Sequence, residues 1–463
     1  SNTLINAFNT TLTTGANGNI TLDNATVNLT GTSATIDTSN VSNAGNGGTL
    51  AAQLANLTFN TVDAVTLNGL DLAAVGQTKF NAAAVTVTAD AIALGKTHAA
   101  GALTLTGALT LHGPLNADGK LTIGTYGVSN ARNAFDNAEI TANEIDILAS
   151  EVTGGIFSAA TTAKIDSINN VTEAIITANN AVLTTGDNGN IFGVEVTALN
   201  DATLTGRSIS ATTISAGGAA NVTGITQIVD SVIAAGGTAT LAGKEALTPV
   251  NLRNNTVTAD AITANANIGN IAGGTYISTG ATTLAAANGI GGLTVQAGGN
   301  ATLTASAGDI VNATVEGAAV GLTANVGNIS NVIVDASGNA NLAAQGSTSF
   351  IADSSVTAQQ QATLQAFVVS GNTISAGTNA SVTGTSQIVG NVINANGTAT
   401  LAGADPNNPV NLINNTVAAA GITANTDIDN IFGGTYTSSG AATLAADGNI
   451  LSSTVTAATD ATL

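Results

Sequence analysis

The chain has 463 residues, with 28 Asp and Glu against 8 Lys and Arg, a net charge of −20, and neither Cys nor Met. Disulfide frameworks and thiolate metal sites are excluded, and nucleic acid is disfavoured, because every Lys and Arg lies between Lys79 and Arg253 and nothing beyond can release counterions from a phosphate backbone. Charged residues are 8% and hydrophobic residues 44%, which argues against disorder, and no apolar run reaches the roughly 20 residues of a membrane helix.

In chain order, Ser1 opens without a basic and apolar leader, so either a cleaved leader or an excerpt of a longer protein is expected. Over residues 1–60 the apolar positions Ile20, Ile36 and Leu50 step by 16 and 14, which predicts less regular turns, either narrower or of a different cross-section, and a boundary near residue 60. From there Val65, Val85, Leu103, Leu121, Ile145, Ile165 and Leu183 step by 20, 18, 18, 24, 20 and 18. From Leu204 the series continues through Val222, Leu241, Ile262, Leu284, Leu303, Leu322, Leu342 and Leu364, with steps of 18 to 22. A period near 20 is the mark of a solenoid, whose turns bury their apolar faces only by stacking on one another.

The irregularities themselves repeat. Residues 206–303 return as 366–463 at an offset of 160, so that Ile214 matches Ile374, Tyr276 matches Tyr436 and Leu284 matches Leu444. This defines a 160-residue super-repeat of eight turns, with copies at about 196–355 and 356–463, the second incomplete. Residues 61–463 are therefore expected to form one regular domain.

Within a turn, Ala-x-Leu-x-Ala strings such as Ala301, Leu303 and Ala305 alternate with Thr302 and Thr304, the period of a half-buried strand. A second strand, written NNTVTA at Asn254 to Ala259, places an inward Val or Ile eight residues before the aligned Leu, as in Val295 and Leu303. Before that strand stands a third apolar position, at Ile290, Ile310, Ile329, Ile351 and Ile450. Three short strands per turn, with Asn, Gly and Ser at the corners, predict an all-β chain folded as a parallel β-helix. At about 4.8 Å per turn, about 23 turns give a rod on the order of 110 Å long. Asn residues ahead of the Val-containing strand are expected to form a ladder from turn to turn. The segments 241–252 and 401–412 hold Pro249, Pro406 and Pro409 and are expected to bulge out as loops.

Candidates for chemistry are few. His98 and His112 are the only histidines and lack partners at workable spacing, so both read as surface or corner residues. Gly289, Gly291 and Gly292 read as a corner, since no helix follows to make a phosphate cradle. Glu144 and Asp146, and likewise Asp427 and Asp429, flank an apolar residue and are expected to share the outer face of a strand. Calcium requires six or more oxygens, more than such a pair provides. The outward Thr column, read as Thr203, Asn221, Thr240, Ala261, Thr283, Thr302, Gly321, Asn341 and Thr363, is too broken for an ice-binding array. No catalytic, cofactor-binding or metal-binding residue is assigned, and no enzyme activity is expected.

The strings at 18–31 (GNITLDNATVNLTG), 101–113 (GALTLTGALTLHG) and 176–191 (ITANNAVLTTGDNGNI) resemble repeats of filamentous haemagglutinin-like large exoproteins. That resemblance implies a right-handed β-helix exported to the bacterial cell surface or the extracellular space and used as an adhesin or carrier. The motifs of the family's secretion domain, Asn-Pro-Asn-Leu and Asn-Pro-Asn-Gly-Ile, do not occur here. The expected function is a non-enzymatic structural rod, an adhesin or a filament former. Its expected partners are other copies of itself and a cell-surface receptor or glycan. The alternative is a β-helix spike that binds or cleaves polysaccharide.

Overall fold

A computed structural model describes residues 77–124 and 132–463 without a break, residues 57–61 and 63–74, and the strand segments 4–7, 10–13, 21–23, 26–29, 33–37 and 51–55. The chain is an all-β solenoid in which the strand pairings are parallel and link each turn to the next. It divides into two units, Ser1–Gly218 and Ala219–Leu463.

In the second unit a representative turn consists of Thr294–Ala297, Ala301–Ala305 and Ile310–Val311. Each strand pairs in register with its counterpart one turn on. Val295 faces Val315, then Val334, Val356, Ile374 and Ile393. Leu303 faces Leu322, Leu342 and Leu364, and Ile290 faces Ile310, Ile329 and Ile351. These three columns are buried, together with the alanines on either side of the Leu column. Burial of each Leu, Ile or Val contributes about 1.5–3 kcal/mol, and because like stacks on like, no single turn carries a core of its own. The narrow interior explains the abundance of Ala: one branched side chain per strand fills the space, leaving room only for methyl groups beside it.

The corner that leads into the Val-containing strand has a fixed rule. It is two residues long; the first has positive φ and the second is turned inward. In the second unit the first residues are Asp230, Asn254, Gly273, Gly292, Asn312, Asn331, Asp353, Gly371, Gly390, Asn414, Gly433 and Ser452. Gly, Asn and Asp are the residues that tolerate the left-handed region, so this corner is written into the sequence once per turn. Strand bounds recur with the sequence: Ala220–Val229 and Ala380–Val389 stand at the same offset (380 − 220 = 160), as do Ile268–Ala272 and Ile428–Phe432.

Two registers depart from the sequence alignment. Ile262 faces Ala239 and Thr282, not Leu241 and Leu284; Ala264 is the residue opposite Leu284. Its counterpart Ile422 likewise faces Ala399 and Ala442, with Ala424 opposite Leu444. In these turns large and small residues exchange places, and both Ile262 and Ala264 are buried. An apolar residue two positions along a strand points to the same face, so alternation alone does not distinguish the two registers.

In the first unit Val65, Val85, Leu103, Leu121 and Ile145 form one column as expected. The next partner of Ile145 is Ala163, while Ile165 faces Ile147 and Leu183, so the expected series joins two adjacent inward columns. Nearer the start, Ile20 and Leu50 lie outside the described residues. Ile36 pairs with Leu12 and Leu67, steps of 24 (36 − 12) and 31 (67 − 36) that make these turns wider, not narrower. Phe59 and Phe80 stack at 5.5 Å between ring centroids, and Phe135 meets Phe157 edge to face at 6.5 Å. Residues 244–249 and 404–409 carry the prolines between strands and are largely exposed, as loops should be.

Candidate functional site

The buried corner is where the fold holds its most organised polar chemistry. Its inward residues include Ser354, Asn372, Asn391 and Asn415, all buried. Asn372 Nδ2 donates to Asn391 Oδ1 at 3.0 Å, and Asn391 Nδ2 donates to Asn415 Oδ1 at 3.1 Å. Each Oδ1 also accepts the corner amide of the preceding turn: Ser354 N to Asn372, Asn372 N to Asn391 and Asn391 N to Asn415, all at 3.0 Å. Each Nδ2 further donates to a main-chain carbonyl, of Ile351, Val369 or Ile388. The expected Asn ladder is therefore present, and its main work is to pair backbone groups that a corner buried inside a solenoid would otherwise leave without partners.

Two tyrosines occupy the Val column. Tyr276 lies between Val257 and Val295, and Tyr436 between Val417 and Val455. Each follows a Gly at the inward corner position, and a Cβ on Gly434 would sit 3.2 Å from Tyr436 Cε2 and 2.5 Å from the Asn415 carbonyl oxygen. The small corner makes room for the ring. Neither phenol makes a hydrogen bond. Burial pushes the Tyr436 hydroxyl up to about 12, with the nearby Asn415 carboxamide acting in the opposite direction, and burial raises Tyr276 as well.

The carboxylates singled out from the sequence fall into two different situations. Glu144 and Asp146 do share the outer face of Glu139–Thr153, on either side of buried Ile145. Both are already engaged: Lys120 Nζ is 2.7 Å from Glu144 Oε1 and 3.6 Å from Asp146 Oδ2, and Lys164 Nζ is 3.4 Å from Asp146 Oδ1. The hydrogen bond to Glu144 is the chief reason that Lys120 is held above its ordinary value. These are half-exposed pairs, each contributing about 0–1 kcal/mol.

Asp427 and Asp429 are not two positions of one strand. Asp427 turns a left-handed bend at φ 50, and the strand Ile428–Phe432 begins after it. Its counterpart in the other copy, Asn267, has φ 56, so this residue type reads as a corner requirement.

His98 points outward from Thr97–Ala99, with Nε2 3.1 Å from Asp118 Oδ1. His112 is exposed just beyond Ala102–Leu111, and its amide bonds the Leu94 carbonyl. Gly292 is a left-handed corner residue at φ 67. Among the described residues no group of three or more His, Asp and Glu is placed to hold a metal ion, and no helix is long and apolar enough to cross a membrane.

The outward Thr column is more continuous than the sequence alignment suggests. Thr240, Thr263, Thr283 and Thr302 are successive partners, because Ala261 faces Thr238 instead. Gly321 and Asn341 still interrupt the column, and the companion rank two residues on reads Ala285, Thr304, Thr323 and Ala343. A single rank of β-branched hydroxyls suits a strand surface and does not make a two-rank lattice.

Fold and sites together define a β-solenoid repeat protein. No protein-family model, curated protein or solved structure matches the chain.

Proposed function

We propose that the chain is a non-enzymatic structural segment of an extracellular or bacterial cell-surface protein, of the haemagglutinin-like adhesin type, that projects or connects by stacking β-helix turns. The observation behind this reading is where the polar chemistry goes. The buried amides of Asn372, Asn391 and Asn415 bond to one another and to the backbone, and Glu144 and Asp146 are neutralised by lysines on adjacent turns. These groups are committed to holding turns together. Copies of the chain and a surface receptor or glycan are the proposed partners, and nucleic acid is not among them. Electron microscopy of purified material separates the two forms of the proposal: particles of one length favour an adhesin, continuous fibres favour self-assembly, and compact globules defeat both.

A second reading, polysaccharide binding, draws on a groove of about 300 Å³ in the second unit. It is lined by Thr357, Gln359, Ser375, Asn394 and Asn396 with small residues between. Uncharged hydroxyls and carboxamides repeating turn after turn suit neutral sugar hydroxyls. A glycan array tests binding, and a reducing-end assay tests cleavage; turnover lost on changing Asp427 and Asp429 would replace the structural reading with an enzymatic one.

A further inference from the structure

Three cations of the first unit sit against carboxylates. Lys120 and Lys164 hold Glu144 and Asp146, and Arg132 Nη1 lies 3.1 Å from Asp166 Oδ1. Lys79 and Lys96 differ. Among the described residues no carboxylate is within ion-pair distance of either, in a chain with 28 acidic residues and only 8 Lys and Arg.

Their placement follows from the register. Thr78 and Thr97 are partners on adjacent turns and both are buried, so the residues flanking each point outward. Gln77 and Lys79 therefore lie on one turn, with Lys96 and His98 over them on the next, and Lys79 is the direct partner of His98. Thr58 continues the column below Lys79. Adjacent turns are about 4.8 Å apart, so two ammonium groups and an imidazole share a patch two turns high, with Thr58 on the turn below. These same residues line a groove of about 470 Å³, with Thr78 among them. The Thr78 side chain is turned inward, so the hydroxyl on the outer face is that of Thr58. Asp118 meets the patch at His98, with Oδ1 3.1 Å from Nε2. Lys79 stands opposite His98, and Lys96 lies two residues before His98 on that strand, so the two lysines are diagonal neighbours on adjacent turns, where long side chains can reach one shared group. The groove gathers donors: the ammonium groups of Lys79 and Lys96, the Gln77 side-chain amide and the Thr58 hydroxyl.

We propose that this groove is an anion site that takes a phosphate group, as inorganic phosphate or a phosphomonoester. A dianion with several oxygens matches two cations and neighbouring neutral donors, and it neutralises the repulsion between Lys79 and Lys96 on binding. The inference rests on the groove alone and stands whether or not the solenoid is an adhesin.

The test is calorimetric titration of the whole chain at low ionic strength with inorganic phosphate and, separately, glycerol 3-phosphate. One saturable site is expected, weakened at least about tenfold by Lys79→Gln with Lys96→Gln and unchanged by Lys120→Gln with Lys164→Gln. Lys79→Arg with Lys96→Arg retains binding, which separates loss of charge from loss of fold, and far-UV circular dichroism checks each variant. Saturation by the ester alone identifies an esterified ligand as the source. Absence of saturable heat with either compound, or equal weakening in both glutamine pairs, overturns the proposal.

Discussion

The same inward corner position is built in two ways within the second unit. In one group of turns it holds Leu293, Ala313 and Val332, and in the group that follows it holds Ser354, Asn372, Asn391 and Asn415, all equally buried. The apolar corners fill the interior and bring no polar side-chain atom into it. The Asn corners cap an amide of the turn before and a carbonyl of the strand leading into it, and then bond to the next Asn. The comparison teaches that burial at this corner does not demand an apolar side chain. It demands either no polar atoms or a side chain whose donors and acceptor all find backbone partners, which an Asn carboxamide in this position does.

The strongest test removes the middle rung. Asn391→Leu deletes the acceptor of the Asn372 amide and both donors to Val369 O and Asn415 Oδ1. With several buried groups left without partners at about 1–3 kcal/mol each, a loss of about 3 kcal/mol or more is expected in denaturant unfolding. A loss under about 1 kcal/mol means that water or backbone adjustment replaces the rung and the ladder is incidental.

Tyr276 and Tyr436 show what happens when a buried polar group finds no partner. Below pH 10 their phenols are protonated in both states and contribute no pH dependence. Above the ordinary value of 10.0 the unfolded chain releases the proton, while the folded chain keeps it on Tyr436 up to about 12. Stability therefore falls with rising pH across that window, by about 1.4 kcal/mol per pH unit for each tyrosine. Tyr276→Phe with Tyr436→Phe should flatten that slope and, at neutral pH, raise stability by about 1 kcal/mol per site, since a hydroxyl without a partner is removed. Urea unfolding at pH 8 and pH 11 measures both effects, and an unchanged slope would show that the phenols titrate alike in both states.

The converse of the ladder deletion is Val332→Asn. Val332 N already donates to Ser354 Oγ at 3.3 Å, so a carboxamide at 332 would stand one turn before the existing ladder. By the rule seen at Asn255, which caps Ser231 N and Ile228 O, it should find the corner amide and strand carbonyl of the preceding turn. The expected cost is within about 1 kcal/mol, far below that of burying an amide without partners. A cost near 3 kcal/mol would show that the apolar turns are shaped so that those backbone groups are out of reach.

Much of this architecture is legible in the sequence because stacking turns a local pattern into a column. The inward Val, Leu and Ile positions and the Asn ladder follow from periodicity alone. The swaps at Ile262 and Ile422 do not, since alternation leaves a strand free to slide by two residues while its apolar face stays inward. Asp427 shows a related limit: a residue two places from Asp429 shares its face only if the backbone between them is extended, and a positive φ cancels that inference. The phosphate groove is hidden for a third reason. Gln77-Thr78-Lys79 and Lys96-Thr97-His98 stand 19 residues apart (98 − 79), a visible near-repeat, yet neither lysine stands out until Lys120, Arg132 and Lys164 are seen to sit against carboxylates and these two are not.

The left-handed corner supplies the finest test, because it repeats while its residue type varies. Ala211 adopts φ 49 where most turns use Gly, Asn or Asp, and Gly371 adopts φ 66. A non-glycine residue in this region costs about 1–2 kcal/mol, whereas glycine loses about 0.5–1 kcal/mol in backbone entropy on folding. Ala211→Gly should therefore stabilise the chain by about 0.5 kcal/mol. The reverse exchange should cost more than this gain, because a Cβ on Gly371 would also meet Asp353 Oδ1 at 2.6 Å, a contact that forces the carboxylate to rotate away. Matched unfolding curves of Ala211→Gly and Gly371→Ala should move in opposite directions, with the second shift larger. If both destabilise, packing around the corner rather than backbone conformation selects its residue, and the once-per-turn recurrence of Gly, Asn and Asp would then need to be explained through the side chains stacked above and below.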